Sequence, residues 1–310
     1  MQPVGEQNSS AIVAATVLSE KNPAAVAALR AQPDFAAAMR ASAAGLVNLY
    51  QGSHLLNWLM DDRGRLLFGY FALYLHATRN PADPASGLNP TRMRMLACDL
   101  GICSPGRALA MLSLMRFGGY LTPDIDVVDR RQRRLVATDK LVALLRERWR
   151  VHFAAMAPLF ADGEAMLAAV DDPPFTRGLI IAMVERFREG FRVTTHAEDM
   201  GLFGERNAGI LICSYLIAAG EADDTVPPTR PVPISIAALA RCFAVSRPHV
   251  LKLLRDAEAA GLIARSGDRV LFKPALAEGA RNFFATMFLY YAGSAREAMA
   301  AAKPAGRAAG

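Results

Sequence analysis

The chain has 310 residues, 53% of them hydrophobic, and a formal net charge of +6. That length allows two domains, each with its own core, but no run approaches the roughly 20 apolar residues of a membrane span. The opening segment carries Glu6 and no basic residue before its short apolar stretch, a poor secretory signal, and four cysteines without a CxxC pair frame no disulfide scaffold.

These features point to a cytoplasmic protein with no membrane partner. Residues 1–62 read as N-terminal packing helices, because 33–60 (PDFAAAMRASAAGLVNLYQGSHLLNWLM) is apolar on more than one face. The segment 66–77 (LLFGYFALYLHA) reads as a core helix and 79–90 (RNPADPASGLNP) as a long surface connection. Helices are predicted over about 91–100 and 104–118, with a hairpin over 120–138. Residues 129–150 carry eight Lys or Arg against three acids, a net +5. Such clustering is the footprint of a polyanion binder, although a charge run is as often a solvated face. Connecting helices fill 158–204, where 175–201 reads as one helix begun after the Asp171-Asp172-Pro173-Pro174 breaker. A second core helix (208–219), a proline-rich loop (220–233), helices 235–243 and 246–260, and a short hairpin (262–273) follow. The chain ends in a tail (300–310) expected to be disordered.

The order of these elements is the same on both sides of the middle. Residues 94–121 lie over 236–263 at an offset of 142 without a gap. Ser104 meets Ser246, Leu109 meets Leu251, Leu112 meets Leu254 and Gly119 meets Gly261; Leu96/Ala238, Leu100/Cys242, Ala108/Val250, Met111/Leu253 and Leu121/Ile263 keep the apolar pattern. Both serines stand where an N-cap belongs. Pro105 follows at the first helical position, Pro248 one place deeper, and both glycines stop their helices. Helix, tight turn, helix, glycine and hairpin form the layout of a winged helix-turn-helix. The predicted fold is therefore mainly α, with two tandem winged helix-turn-helix domains (63–157 and 205–299) and small β-hairpin wings.

The stretch DRRQRRLVATDKL (129–141) resembles the wing of MarR-family transcriptional regulators: Asp129, Arg130, Arg131, Val136 and Thr138 hold the matching places. The glycine often found after that threonine is replaced here by Lys140 and Leu141. The resemblance covers about 66–157, and 206–299 only at the level of the helix-turn-helix. It implies double-stranded DNA as partner and a single-chain pseudo-dimer, since the family pairs two identical chains.

The first turns of a reading helix reach phosphates and base edges. That selects Ser104 and Arg107, with Arg116 at the far end, in the first copy, and Ser246, Arg247, His249, Lys252 and Arg255 in the second. Arg130, Arg131, Arg133 and Arg134 on the first wing and Arg269 on the second are the candidates for backbone or minor-groove contact.

No HExxH, GxSxG, GxGxxG or Walker pattern points to an enzyme, and no cofactor or metal is implied. His76 and His152 lack the third ligand of a metal site. Cys98 and Cys103 suit a redox pair less well than burial. Thirteen methionines suit an adaptable pocket for a small apolar effector, or simply a core. The reading is a DNA-binding regulator, a monomeric pseudo-dimer or a homodimer. Its rival is a winged-helix interaction scaffold without DNA binding.

Overall fold

A computed structural model describes residues 22–51, 63–83, 85–125 and 133–302. Most of the first packing segment, Arg130 and Arg131 at the first hairpin's tip, and the last eight residues lie outside the described residues. The described chain is mainly helical with two small antiparallel sheets, and no helix in it is long and apolar enough to cross a membrane.

Helix starts are set by local chemistry. Asn22 Oδ1 accepts from Ala24 N (2.9 Å) ahead of α1 (Pro23–Arg30), and α2 (Phe35–Tyr50) and α3 (Arg63–Ala77) follow. Asn89 Oδ1 accepts from Arg92 N (2.9 Å) to open α4 (Pro90–Asp99), and Ser104 Oγ accepts from Arg107 N to open α5 (Pro105–Phe117). Strands β1 (Leu121–Pro123) and β2 (Leu135–Ala137) form the first hairpin, and α6 (Asp139–Met156) leaves it.

Past the short α7 (Gly163–Ala168) comes α8 (Pro173–Arg188), with both prolines in its first turn, where the missing N–H groups have no partner to lose. The single helix expected over 175–201 is corrected here. Gly190, at φ +93°, ends it, and two 3-10 turns, Val193–His196 and Glu198–Met200, take over. Then come α9 (Gly201–Glu205) and α10 (Gly209–Ala218), and β3 (Val232–Pro233) leads into α11 (Ile236–Cys242). The second half closes with α12 (Arg247–Ala259), β4 (Ile263–Ser266), β5 (Arg269–Phe272) and the 29-residue α13 (Pro274–Ala302).

The exits of α5 and α12 use the same kind of bonds. Tyr120 N donates to Met115 O and Leu262 N to Ala257 O, both at 2.9 Å and 142 residues apart. Past the hairpins Thr138 N donates to Tyr120 O and Lys273 N to Leu262 O, both at 3.0 Å, with the donors 135 residues apart because the second hairpin is shorter. Gly119 and Gly261 stop the helices at φ +73° and +71°. The turns before them match at 143: Ile102 N bonds Ala97 O, and Val245 N bonds Ala240 O. The gapless overlay is therefore corrected by one residue, Cys103, added to the first turn. Ala97 and Ala240 are the buried equivalents, in place of Leu96 and Ala238.

The loop before α11 contributes β3, an edge strand that pairs Val232 with Val270. Prolines 231 and 233 hid it, since a proline cannot donate to a ladder and survives only at an edge. In the first half the counterpart is a single bond from Leu135 N to Leu88 O (2.9 Å).

Packing between the halves is reciprocal. Helix α2 lies against α6 of its own half and α10 of the other, while α8 lies against α13 of its own half and α3 of the other. One continuous core results, centred on Phe71, Trp149, Phe153, Phe175 and Phe288.

Candidate nucleic-acid interface

Helix α12 buries Val250, Leu253, Leu254 and Ala257 on one face. At 100° per residue this turns Lys252 and Arg255 to the opposite, exposed face, with Arg247 at its N-terminal edge. Arg247 and Arg255 have no ion-pair partner among the described residues, whereas Lys252 Nζ lies 3.2 Å from Asp256 Oδ2. Ser246 accepts from His249 N (3.2 Å) as N-cap, so its hydroxyl serves the helix first. The His249 ring donates through Nε2 to Asn207 O (2.8 Å), which ties α12 to the loop before α10. Arg269 is exposed on β5, donating to Pro231 O (3.2 Å).

Helix α5 is built differently. It buries Ala108, Met111, Leu112 and Met115, and Arg107 and Arg116 are exposed. Between them the outward face is apolar, with Leu109 44% and Phe117 89% exposed. Arg92 and Arg94 are exposed on α4, which packs on α5. Arg241 is likewise exposed on α11; the spacing that marks a reading helix selects the second helix of each pair and does not mark these residues on the first.

The basic run over 129–150 is dispersed by the fold. Arg133 is exposed, but Arg134 is nearly covered and lies 3.5 Å from Asp124, whose N–H donates to Arg134 O across the hairpin. That pair staples the hairpin. Lys140 Nζ donates to Gly118 O (2.8 Å) and sits 4.5 Å from the centre of the Tyr120 ring. Arg146 donates to Thr176 Oγ1 (3.0 Å), and Arg150 pairs with Asp171 (2.6 Å). Arg148 lies deep in the molecule. Its position was legible in principle: Leu141, Leu145, Arg148, Trp149, His152 and Met156 recur at helical spacing on the inner face of α6.

His76 and His152 do not share a site. Ala137 N donates to His76 Nδ1 (3.4 Å), while His152 Nδ1 meets Ser42 Oγ (2.8 Å) in the core. Burial, and then the charge of Arg148, hold His152 well below the ordinary histidine value. Among the described residues no cluster of three His, Cys, Asp or Glu side chains comes together. Cys98 and Cys103 are half-buried thiols not joined in a disulfide, and burial pushes the Cys213 thiol up to about 12.

A largely apolar cavity of about 180 Å³ opens between the halves, its walls drawn from α2, α3 and α6 on one side and α8, α10 and α13 on the other. No protein-family model, curated protein or solved structure matches this chain.

Proposed function

We propose that this chain is a sequence-specific double-stranded-DNA-binding regulator of MarR-like type, with two non-identical winged helix-turn-helix heads in one polypeptide. Its helices α5 and α12 would enter successive major grooves, and a small effector held between the halves would change the separation of the heads. The observation that carries the reading is the reciprocal packing of α2 and α8, together with exit bonds equivalent at 142 residues. An isologous contact has that character: each element meets in the other half the counterpart of what meets it. Exposed Arg247, Lys252 and Arg255 supply cations where a reading helix needs them.

The rival scaffold reading draws on one observation. Leu109 and Phe117 give the first head an apolar outward face that suits a protein better than a phosphate backbone.

Fluorescence anisotropy over a salt series, on fragments selected from random DNA by the intact chain, separates the two. A DNA binder loses affinity steeply with salt, and Arg247→Ala or Arg255→Ala each lowers the log–log slope by about one. The triple change Arg130→Ala, Arg131→Ala, Arg133→Ala weakens binding further; Arg134 is left in place because it holds Asp124. No selected fragment, or binding indifferent to salt and to these changes, leaves the scaffold.

A further inference from the structure

Arg148 is an anomaly of charge. It reaches from α6 into the wall of the cavity between the halves. It lies deep in the molecule yet retains some accessible surface, and the surface a deep cavity-lining residue keeps is that of the cavity. Its Nη1 donates to Tyr50 Oη (3.1 Å), and its Nε is buried without an acceptor. No carboxylate pairs with it among the described residues. Tyr50, Tyr70 and Tyr291 surround it, but phenols are uncharged at neutral pH, and burial raises Tyr291 well above its ordinary value. They solvate the guanidinium without neutralising it. A charge so placed is ordinarily paired, because desolvation is costly.

The other arginines at the cavity are engaged. Arg206 pairs with Asp256 (3.0 Å); Arg192 donates to Phe191 O (2.8 Å) and stacks on Phe187. Among the described residues Arg148 is the arginine at the cavity with neither a carboxylate nor a carbonyl partner, and one such cation in apolar walls suits a monoanion. Leu46, Leu67, Met183, Phe187, Phe283 and Met287 supply the apolar lining. For scale, an engineered cavity of about 150 Å³ takes up benzene.

We propose that this cavity is a binding site for a small carboxylic acid with a ring-sized apolar body, its carboxylate held by Arg148. The proposal deepens the effector part of the reading above and is independent of DNA binding. It also fixes the stoichiometry. The residue 142 places beyond Arg148 is Tyr290, which lines the same cavity and donates to Met183 O (2.7 Å). The halves therefore share one cavity in which Arg148 has no symmetry-related second cation, and the site takes one ligand per chain.

Calorimetry and thermal melting of the full chain with cyclohexanecarboxylate and its neutral isostere, cyclohexanecarboxamide, test this. The acid binds one to one, about tenfold tighter than the amide, and raises the melting temperature by a few degrees. Arg148→Met abolishes the preference, and Met287→Trp, which fills the cavity, abolishes binding of both. Equal affinity for acid and amide, no binding of either to the unmodified chain, or a preference that survives Arg148→Met or Met287→Trp overturns the proposal. The acid–amide comparison on the unmodified chain decides the matter even if a variant fails to fold. A chain that prefers the acid but binds no DNA keeps this inference and loses the DNA reading.

Discussion

Ser104 and Ser246 do the same work at the same distance from their glycine stops, each satisfying an N–H that the first helical turn leaves without a partner. Replacing Ser246 by Ala should cost about 1 kcal/mol in urea unfolding, and Ser104→Ala less, since its bond is longer (3.4 against 3.2 Å). These caps were readable from sequence because a cap is decided within four residues. The basic residues were not, because their fates hang on distant partners: Asp124 for Arg134, Thr176 for Arg146, the phenols for Arg148. His152 carries a second prediction at this scale. Its folded form is held neutral by burial and by Arg148, while the unfolded chain protonates near 6.5. Its stabilising contribution is therefore complete above pH 6.5 and is lost as pH falls below it, at up to about 1.4 kcal/mol per pH unit. His76, also lowered chiefly by burial, adds in the same direction. Denaturant unfolding of the parent and of His152→Gln between pH 7 and 5 checks this; an equally steep loss in both refutes it.

Helix crossings are closed by glycines that a sequence pattern does not mark. A Cβ on Gly178 of α8 would stand 2.9 Å from Ala298 Cα of α13, whereas one on Gly45 of α2 would meet only the Val151 side chain of α6. Gly178→Val should therefore cost about 2–3 kcal/mol by forcing α8 from α13, and Gly45→Ala clearly less, since a methyl group can turn aside. Comparable losses in thermal melting would show that these crossings are not the constraint. Caps, glycine stops and hairpins were legible in the chain because they obey short-range rules. The end of α8 and the edge strand β3 were not, the first because Gly190 interrupts an apolar pattern that continues past it, the second because prolines flank a strand only two residues long.

In the whole molecule the two capped helices are unequal: α12 presents three exposed cations on or beside its outer face, and α5 an apolar surface between two arginines. Under the DNA reading, a symmetric palindrome would waste that difference. The expected operator has two dissimilar half-sites about one helical turn apart, and Arg255→Ala should weaken binding more than Arg116→Ala. Footprinting over mutated half-sites measures the asymmetry. Equal sensitivity across a perfect inverted repeat would refute it.

The amino-acid order alone determined the mainly helical character, the serine caps, the glycine stops and the recurrence of one plan at a spacing near 142, because these depend on neighbours a few residues away. Tertiary structure decided which cations stay in solvent, which are tied to carboxylates or carbonyls, and that Arg148 ends beside a cavity with no carboxylate partner among the described residues. The reason is physical. A long cationic side chain reads alike at every surface position of a sequence, and only the elements packed around it decide whether its charge meets water, an acid or an empty apolar space.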